Sequence, residues 1–139
     1  ADDFENNMER LNRKFETARS FVPRPEITKG NDAKIGIIGY GTSHWGITES
    51  RDQLHAEYGI ETDYLRLRAY PFTREVHEFV EQHEHVYIVE QNRDAQMLSL
   101  LKLDLKPELT PRLRSIAHIN GLPLDARSIT DELTSMEGK

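Results

Sequence analysis

Apolar residues follow two different rhythms along the chain, and the change between them divides it. Over residues 3–19, Phe4, Met8, Leu11, Phe15 and Ala18 recur at alternating spacings of four and three. That spacing lays a narrow seam along one face of a helix. The other faces are charged, with Asp2, Asp3, Glu5, Glu9 and Glu16 set against Arg10, Arg13, Lys14 and Arg19. So thin a stripe builds no core of its own. The helix is expected to dock, either on its own domain or on a neighbouring domain or subunit. Residues 21–33 then carry Pro23 and Pro25, which remove N–H donors and restrict the residues before them, followed by turn-forming Gly30, Asn31 and Asp32. This stretch reads as a linker.

From residue 34 onward, short apolar runs alternate with helical spacing. Lys34-Ile35-Gly36-Ile37-Ile38-Gly39 reads as a buried strand ending in glycine. Thr42 or Ser43 caps a helix to about Tyr58, with Ile47, Leu54 and Tyr58 on one face and Gly59 as its left-handed stop. A strand over 63–68 follows, then a helix over 73–82 with Val76, Phe79 and Val80 inward. Val86-Tyr87-Ile88-Val89 is apolar on both faces and reads as a central strand. Asp94 is expected to open a helix burying Met97, Leu98, Leu101 and also Leu100. Residues 106–112 read as a loop, 113–117 as a weaker strand and 120–123 as a turn. Ser128-Ile129-Thr130-Asp131 resembles a capping box that starts a last helix.

This alternation predicts an α/β fold, a mainly parallel sheet covered on both faces. The expected core is Ile35, Ile37, Ile38, Ile47, Leu54, Leu65, Leu67, Val76, Phe79, Val80, Val86, Ile88, Val89, Leu98, Leu101 and Ile116.

Composition narrows the functional classes. The 139 residues suit one domain and carry 18 Lys+Arg against 24 Asp+Glu, a net charge of −6. Without a basic block, nucleic acid and anionic membrane are poor candidates for the partner. No apolar run reaches membrane-spanning length, and no basic-then-apolar signal segment is evident. The absence of cysteine excludes disulfides, a cysteine nucleophile and cysteine-ligated clusters within the chain, and agrees with a cytoplasmic location. The chain opens Ala1-Asp2-Asp3, which fits either removal of a Met or excision from a longer polypeptide.

Two places offer chemistry. Gly39, Gly41, Thr42 and Ser43 lie where a strand meets a helix, a geometry that presents free N–H groups to an anion. This is no dinucleotide fingerprint: His44 stands where the third glycine would fall, and Arg66 and Arg68 stand where the second strand should end in an acid. Tight strand–helix packing is the competing reading. The other place, Glu90, Asn92 and Gln96, follows the central strand at the end where parallel sheets bind ligands. There Glu90 either braces the next loop or faces a partner or ligand. His83 and His85 lack a third metal ligand at defined spacing and read as solvated loop residues. Ser43 with His44 or His55 lacks a nucleophile elbow.

Four segments, in order, resemble a known family. They are Ile37-Ile38-Gly39-Tyr40-Gly41-Thr42-Ser43 with Gly46-Ile47-Thr48-Glu49-Ser50; Leu67-Arg68-Ala69-Tyr70-Pro71-Phe72; Val86-Tyr87-Ile88-Val89-Glu90-Gln91-Asn92-Arg93-Asp94-Ala95-Gln96-Met97; and Asn120-Gly121-Leu122-Pro123. Residues 34–135 thereby resemble the C-terminal domain of the alpha subunit of 2-oxoacid:ferredoxin oxidoreductases of the 2-oxoglutarate type, a domain related to the transketolase C-terminal domain. Thr42-Ser43 departs from the family's usual Ser-Thr, and Ala95 from its usual glycine.

The resemblance implies a three-layer α/β/α sandwich with a mostly parallel sheet of about five strands. One edge strand would be antiparallel, supplied by residues 25–29 or by a late segment. It implies that residues 1–33 are a helix and linker leading out of a preceding domain and that 34–139 are the transketolase C-terminal-like domain. No catalytic, cofactor-binding or metal-binding residue is expected in this segment. Thiamine diphosphate, Mg2+ and iron–sulfur clusters would belong to the rest of a hetero-oligomer containing a beta subunit. That whole enzyme would oxidatively decarboxylate a 2-oxoacid to an acyl-CoA, with CoA as acceptor, and reduce ferredoxin. The alternatives are a stand-alone α/β module binding a nucleotide or CoA-like anion at residues 39–43, and a free-standing hydrolase or metal enzyme using His and Glu.

Overall fold

The computed structural model describes residues 1–139. Helix α1 (Asp2–Ala18) leads through the linker to β1 (Glu26–Thr28). There follow β2 (Ile35–Tyr40), α2 (Ser43–Tyr58), β3 (Thr62–Leu67), α3 (Arg74–Gln82), β4 (His85–Glu90), α4 (Gln96–Asp104), a 3-10 turn (Pro107–Arg112), β5 (Leu113–Ala117) and α5 (Ala126–Met136). The five strands form one sheet in the order β1-β3-β2-β4-β5. All neighbours are parallel except β1, which runs antiparallel to β3 with Ile27 opposite Leu65. The antiparallel edge strand therefore comes from the linker.

Alternation along the strands sends neighbouring side chains to opposite faces. Ile37, Tyr64, Tyr87, Val89 and Ile116 meet Ile47 and Leu54 of α2 and Ile129 and Leu133 of α5 on one side. Ile38, Leu65, Val86 and Ile88 meet Val76, Phe79, Leu98 and Leu101 of α3 and α4 on the other. This is the three-layer sandwich. The expected core is buried apart from Ile35, which is only half-buried on the margin of the α2–α5 side. Phe72, Tyr64, Tyr87, Leu109 and Leu133 complete it.

Several local expectations change. Tyr58, the last residue of α2, and Leu100 are exposed, and Met97 is half-buried against the α3–α4 side of the core. Asp94 does not open α4; it pairs with its neighbour Arg93, and Ala95, in the left-handed conformation, precedes the helix. The cap of α5 is Asp125, whose side chain accepts from the Ser128 N–H at 2.7 Å. Ser128 therefore lies inside the helix. The 106–112 loop contains a 3-10 turn that buries Leu109.

Helix α1 does not dock on the domain, and none of its residues is buried. Its root is held instead. The Arg19 guanidinium makes a bidentate pair with Asp104 at 3.0 and 2.6 Å and donates to the Phe72 carbonyl at 2.8 Å. His77 Nε2 shares Asp104 at 2.8 Å.

Candidate functional site

The chain passes from β2 to β3 on one side of β2, then returns to β4 on its other side. The carboxyl ends of β2 and β4 thus form the topological switch point where such sheets bind ligands. Both predicted clusters converge there.

Gly39 sits in β2 beneath α2; a Cβ on it would overlap the Ile47 side chain. Its lack of a side chain lets α2 pack closely on the sheet. Gly41 takes φ of +59° in open space, the backbone turn that starts α2. Thr42 precedes the helix without capping it. Instead, the Gln91 amide donates to Thr42 Oγ1 at 2.9 Å and to Ser43 Oγ at 3.2 Å. Gln91, not singled out from sequence, is the residue that ties the two predicted clusters together.

Glu90 is 0% exposed. Its carboxylate accepts from the Met97 N–H at 2.6 Å, the Leu98 N–H at 3.1 Å and the Asn92 amide at 2.9 Å. Asn92 Oδ1 in turn accepts from the Gln96 N–H at 3.2 Å. Ala95 has no side chain to cap α4, so Glu90 and Asn92 satisfy the free N–H groups of its first turn. Gln96 contributes its backbone, while its side chain is exposed. The Tyr40 hydroxyl lies 3.4 Å from both Glu90 and Asn92, and burial together with the Glu90 charge pushes its pKa up. Of the polar side chains predicted at the end of β4, Glu90 and Asn92 are engaged within the fold, and Gln96 points its amide to solvent.

Around this satisfied centre, Trp45 in the first turn of α2 is 75% exposed. Ile119 and Leu122, in the loop that leaves β5 at the same end of the sheet, are exposed too. His44 Nδ1 lies 3.2 Å from the Tyr64 hydroxyl, whose pKa burial pushes up to about 12. His55 pairs with Glu61 at 2.6 Å. Ser43, His44 and His55 thus form no triad.

His83 is not a solvated loop residue. It is buried, its Nε2 lies 2.9 Å from Asp63 and its Nδ1 lies 2.6 Å from the Phe79 carbonyl. Asp63 also receives Lys29 at 2.9 Å and the Gly30 N–H at 2.8 Å, which ties the linker to the sheet. His85 and the Tyr87 hydroxyl each lie 2.6 Å from Glu137. None of these histidines belongs to a group of three or more potential ligands placed to hold a metal ion. With no cysteine, the chain offers no thiolate to an iron–sulfur cluster.

The buried carboxylates make stability depend on acidity. Desolvation raises the pKa of Asp63, but Lys29, Gly30 and His83 outweigh it and hold it below its ordinary 3.8. Asp104 behaves likewise under Arg19 and His77. A folded pKa below the unfolded one adds stability above the ordinary value, and that stability is lost as pH falls through the folded one. Asp63→Asn is expected to cost roughly 1–3 kcal/mol at neutral pH. In urea titrations, the gap between wild type and variant should narrow below about pH 4. A gap independent of pH would refute the assignment.

A large open cleft lies away from the switch point, between the 19–24 linker and the start of α3, and includes Arg19, Arg24, Thr73, Arg74, His77 and Asp104. Its charges are matched internally: Arg24 pairs with Glu75 and Arg74 with Glu78.

No protein-family model matches the chain, and no curated protein does. Solved structures do. The 2-oxoglutarate:ferredoxin oxidoreductase from Magnetococcus marinus, solved with 2-oxoglutarate, coenzyme A and succinyl-CoA bound, matches 94% of this chain at a TM-score of 0.77 and 19% identity. This chain spans 23% of that protein's length. The alpha chain of a "probable 2-oxoacid ferredoxin oxidoreductase" from Thermoplasma acidophilum matches at a TM-score of 0.53 and 23% identity, over 84% of this chain and 98% of that one. At these identities the likeness is one of fold: the chain is built like a domain of these oxidoreductases.

Proposed function

We propose that the chain is the C-terminal assembly domain of the alpha subunit of a thiamine-diphosphate-dependent 2-oxoacid:ferredoxin oxidoreductase. Residues 1–33 would lead out of a preceding domain, and β1 within that stretch would complete the sheet of the domain formed by 34–139. The observation that carries this reading is the switch point. Its polar groups are consumed in capping α4 and joining two loops, while Trp45, Ile119 and Leu122 at the same end of the sheet are left exposed. Exposed apolar residues around a satisfied polar centre suit a protein interface better than a reaction centre. The likeness in fold supports the family.

In this reading, the substrate of the whole enzyme is 2-oxoglutarate. The 2-oxoacid loses CO2, the acyl group passes to CoA, and two electrons leave one at a time through iron–sulfur clusters to ferredoxin. Thiamine diphosphate, Mg2+ and the clusters lie on other parts of a cytoplasmic hetero-oligomer, which includes a beta subunit.

The test is an assay of the 139-residue chain with 2-oxoglutarate, CoA, thiamine diphosphate, Mg2+ and a one-electron viologen acceptor. No turnover is expected, and neither CoA nor ADP should move the melting temperature. Turnover by this chain alone overturns the reading, and a rise of several degrees with CoA or ADP favours anion binding at residues 39–43. The reading frame upstream should also encode a thiamine-pyrimidine-type domain.

A further inference from the structure

We propose that α1 is a self-association helix whose seam pairs with the same seam of a second copy of this chain, in antiparallel orientation. This inference does not rest on the proposed function. Phe4, Met8, Leu11 and Phe15 are between 42% and 68% exposed, and no residue of α1 is buried. A lone 17-residue helix is marginal in water. Its alternating spacing of four and three is the a/d pattern of a two-helix seam. A mate that buries the seam supplies the stability the helix lacks.

Charge complementarity identifies that mate and its direction. Asp2, Asp3, Glu5 and Glu9 occupy the first half of α1, and in the second Arg10, Arg13 and Lys14 outnumber Glu16. A parallel pair sets acid on acid and base on base. An antiparallel pair sets Glu5 near Lys14 and Glu9 near Arg10 of the second copy, with Asp3 near Glu16 the one like-charged match. Aligned so that Met8 faces Leu11 of the second copy, Phe4 falls opposite Phe15 at both ends, and all four apolar residues are used. The same polarity suits the dipole of the helix itself, but that dipole accounts for no apolar seam. The pairs Arg19–Asp104 and Arg19–Phe72 hold the root of α1 to the body, so the helix stands out as an anchored arm rather than a loose tail. A 17-residue helix is about 25 Å long. So short a seam sits below the size of a standard stable interface, and the association is weak.

The test is sedimentation equilibrium of the 139-residue chain from about 10 μM to about 1 mM. The weight-average mass should climb from 16.1 kDa toward a dimer. Leu11→Asp should stay monomeric with an unchanged melting temperature, because α1 lies outside the core. Absence of native cysteine allows disulfide trapping on a clean background. Asn7 and Lys14 flank the same side of the seam. A mixture of Asn7→Cys and Lys14→Cys chains should cross-link roughly tenfold faster than either alone. A monomer at every concentration overturns the proposal and leaves the seam to a different partner. Cross-linking of each variant with itself, as fast as in the mixture, overturns it as well.

Discussion

Ile88→Asp is expected to abolish cooperative folding. Ile88 lies at the middle of β4, fully buried, with Ile38 of β2 and Ser115 of β5 as its register partners. It belongs to the apolar layer shared with Leu65, Leu98 and Leu101. A carboxylate there loses its hydration and meets no cation, a cost of at least about 5 kcal/mol. Domains of this size have about 5–15 kcal/mol to lose. Circular dichroism should show no sigmoidal melt, and amide proton signals should collapse to unfolded dispersion. Leu103→Asp on the exposed outer face of α4 is the matched control and should melt like wild type. A folded Ile88→Asp chain would mean that the centre of the sheet is wrongly described.

The second large effect concerns Glu90. Glu90→Ala removes the acceptor for two backbone N–H groups and for Asn92. The Met97 and Leu98 N–H groups would then lack an acceptor and Asn92 would keep only its long contact with the Tyr40 hydroxyl, and the loss should be about 3–5 kcal/mol. Glu90→Gln keeps one acceptor oxygen but turns an amide N–H toward a donor, so it should cost less, about 1–3 kcal/mol. Urea midpoints rank the two. Hydrogen exchange should speed up first at Met97 and Leu98, at the start of α4. If the alanine and glutamine variants agree within about 0.5 kcal/mol, Glu90 is not the cap of this helix.

What could be read in the sequence, and what could not, follows from the range of the interactions. The strands of the centre were legible because β4 is apolar on both faces, and only a strand covered by two layers of helix uses such a run. Helix α3 was legible from Val76, Phe79 and Val80. The two candidate clusters were visible as well, but not that Gln91 joins them, since that contact spans 49 residues. The cap of α4 was misread at Asp94 because capping rules look at the adjacent residue, whereas Glu90 reaches Met97 from seven residues away. His83 stands between Gln82 and Glu84, and so looked solvated. Its burial depends on Asp63 and Lys29, which belong to distant segments. The fate of the α1 seam was illegible for a different reason. Periodicity says that a face is apolar, but it is silent on what covers it.

The antiparallel edge has a consequence for the order of folding. Strand β1 precedes every other strand in the chain, yet its pairing partner β3 lies far downstream, with Glu26 set against Arg66. During synthesis β1 emerges early and must wait for β2, α2 and β3 before it has anywhere to go. Until it arrives, the outer rim of β3 is a row of unpaired backbone groups, a template for another chain's strand. A chain shortened to begin at residue 30 would carry that open rim permanently. Its characteristic fault should be aggregation at high concentration, added to the stability lost with the Lys29–Asp63 and Arg19–Asp104 pairs.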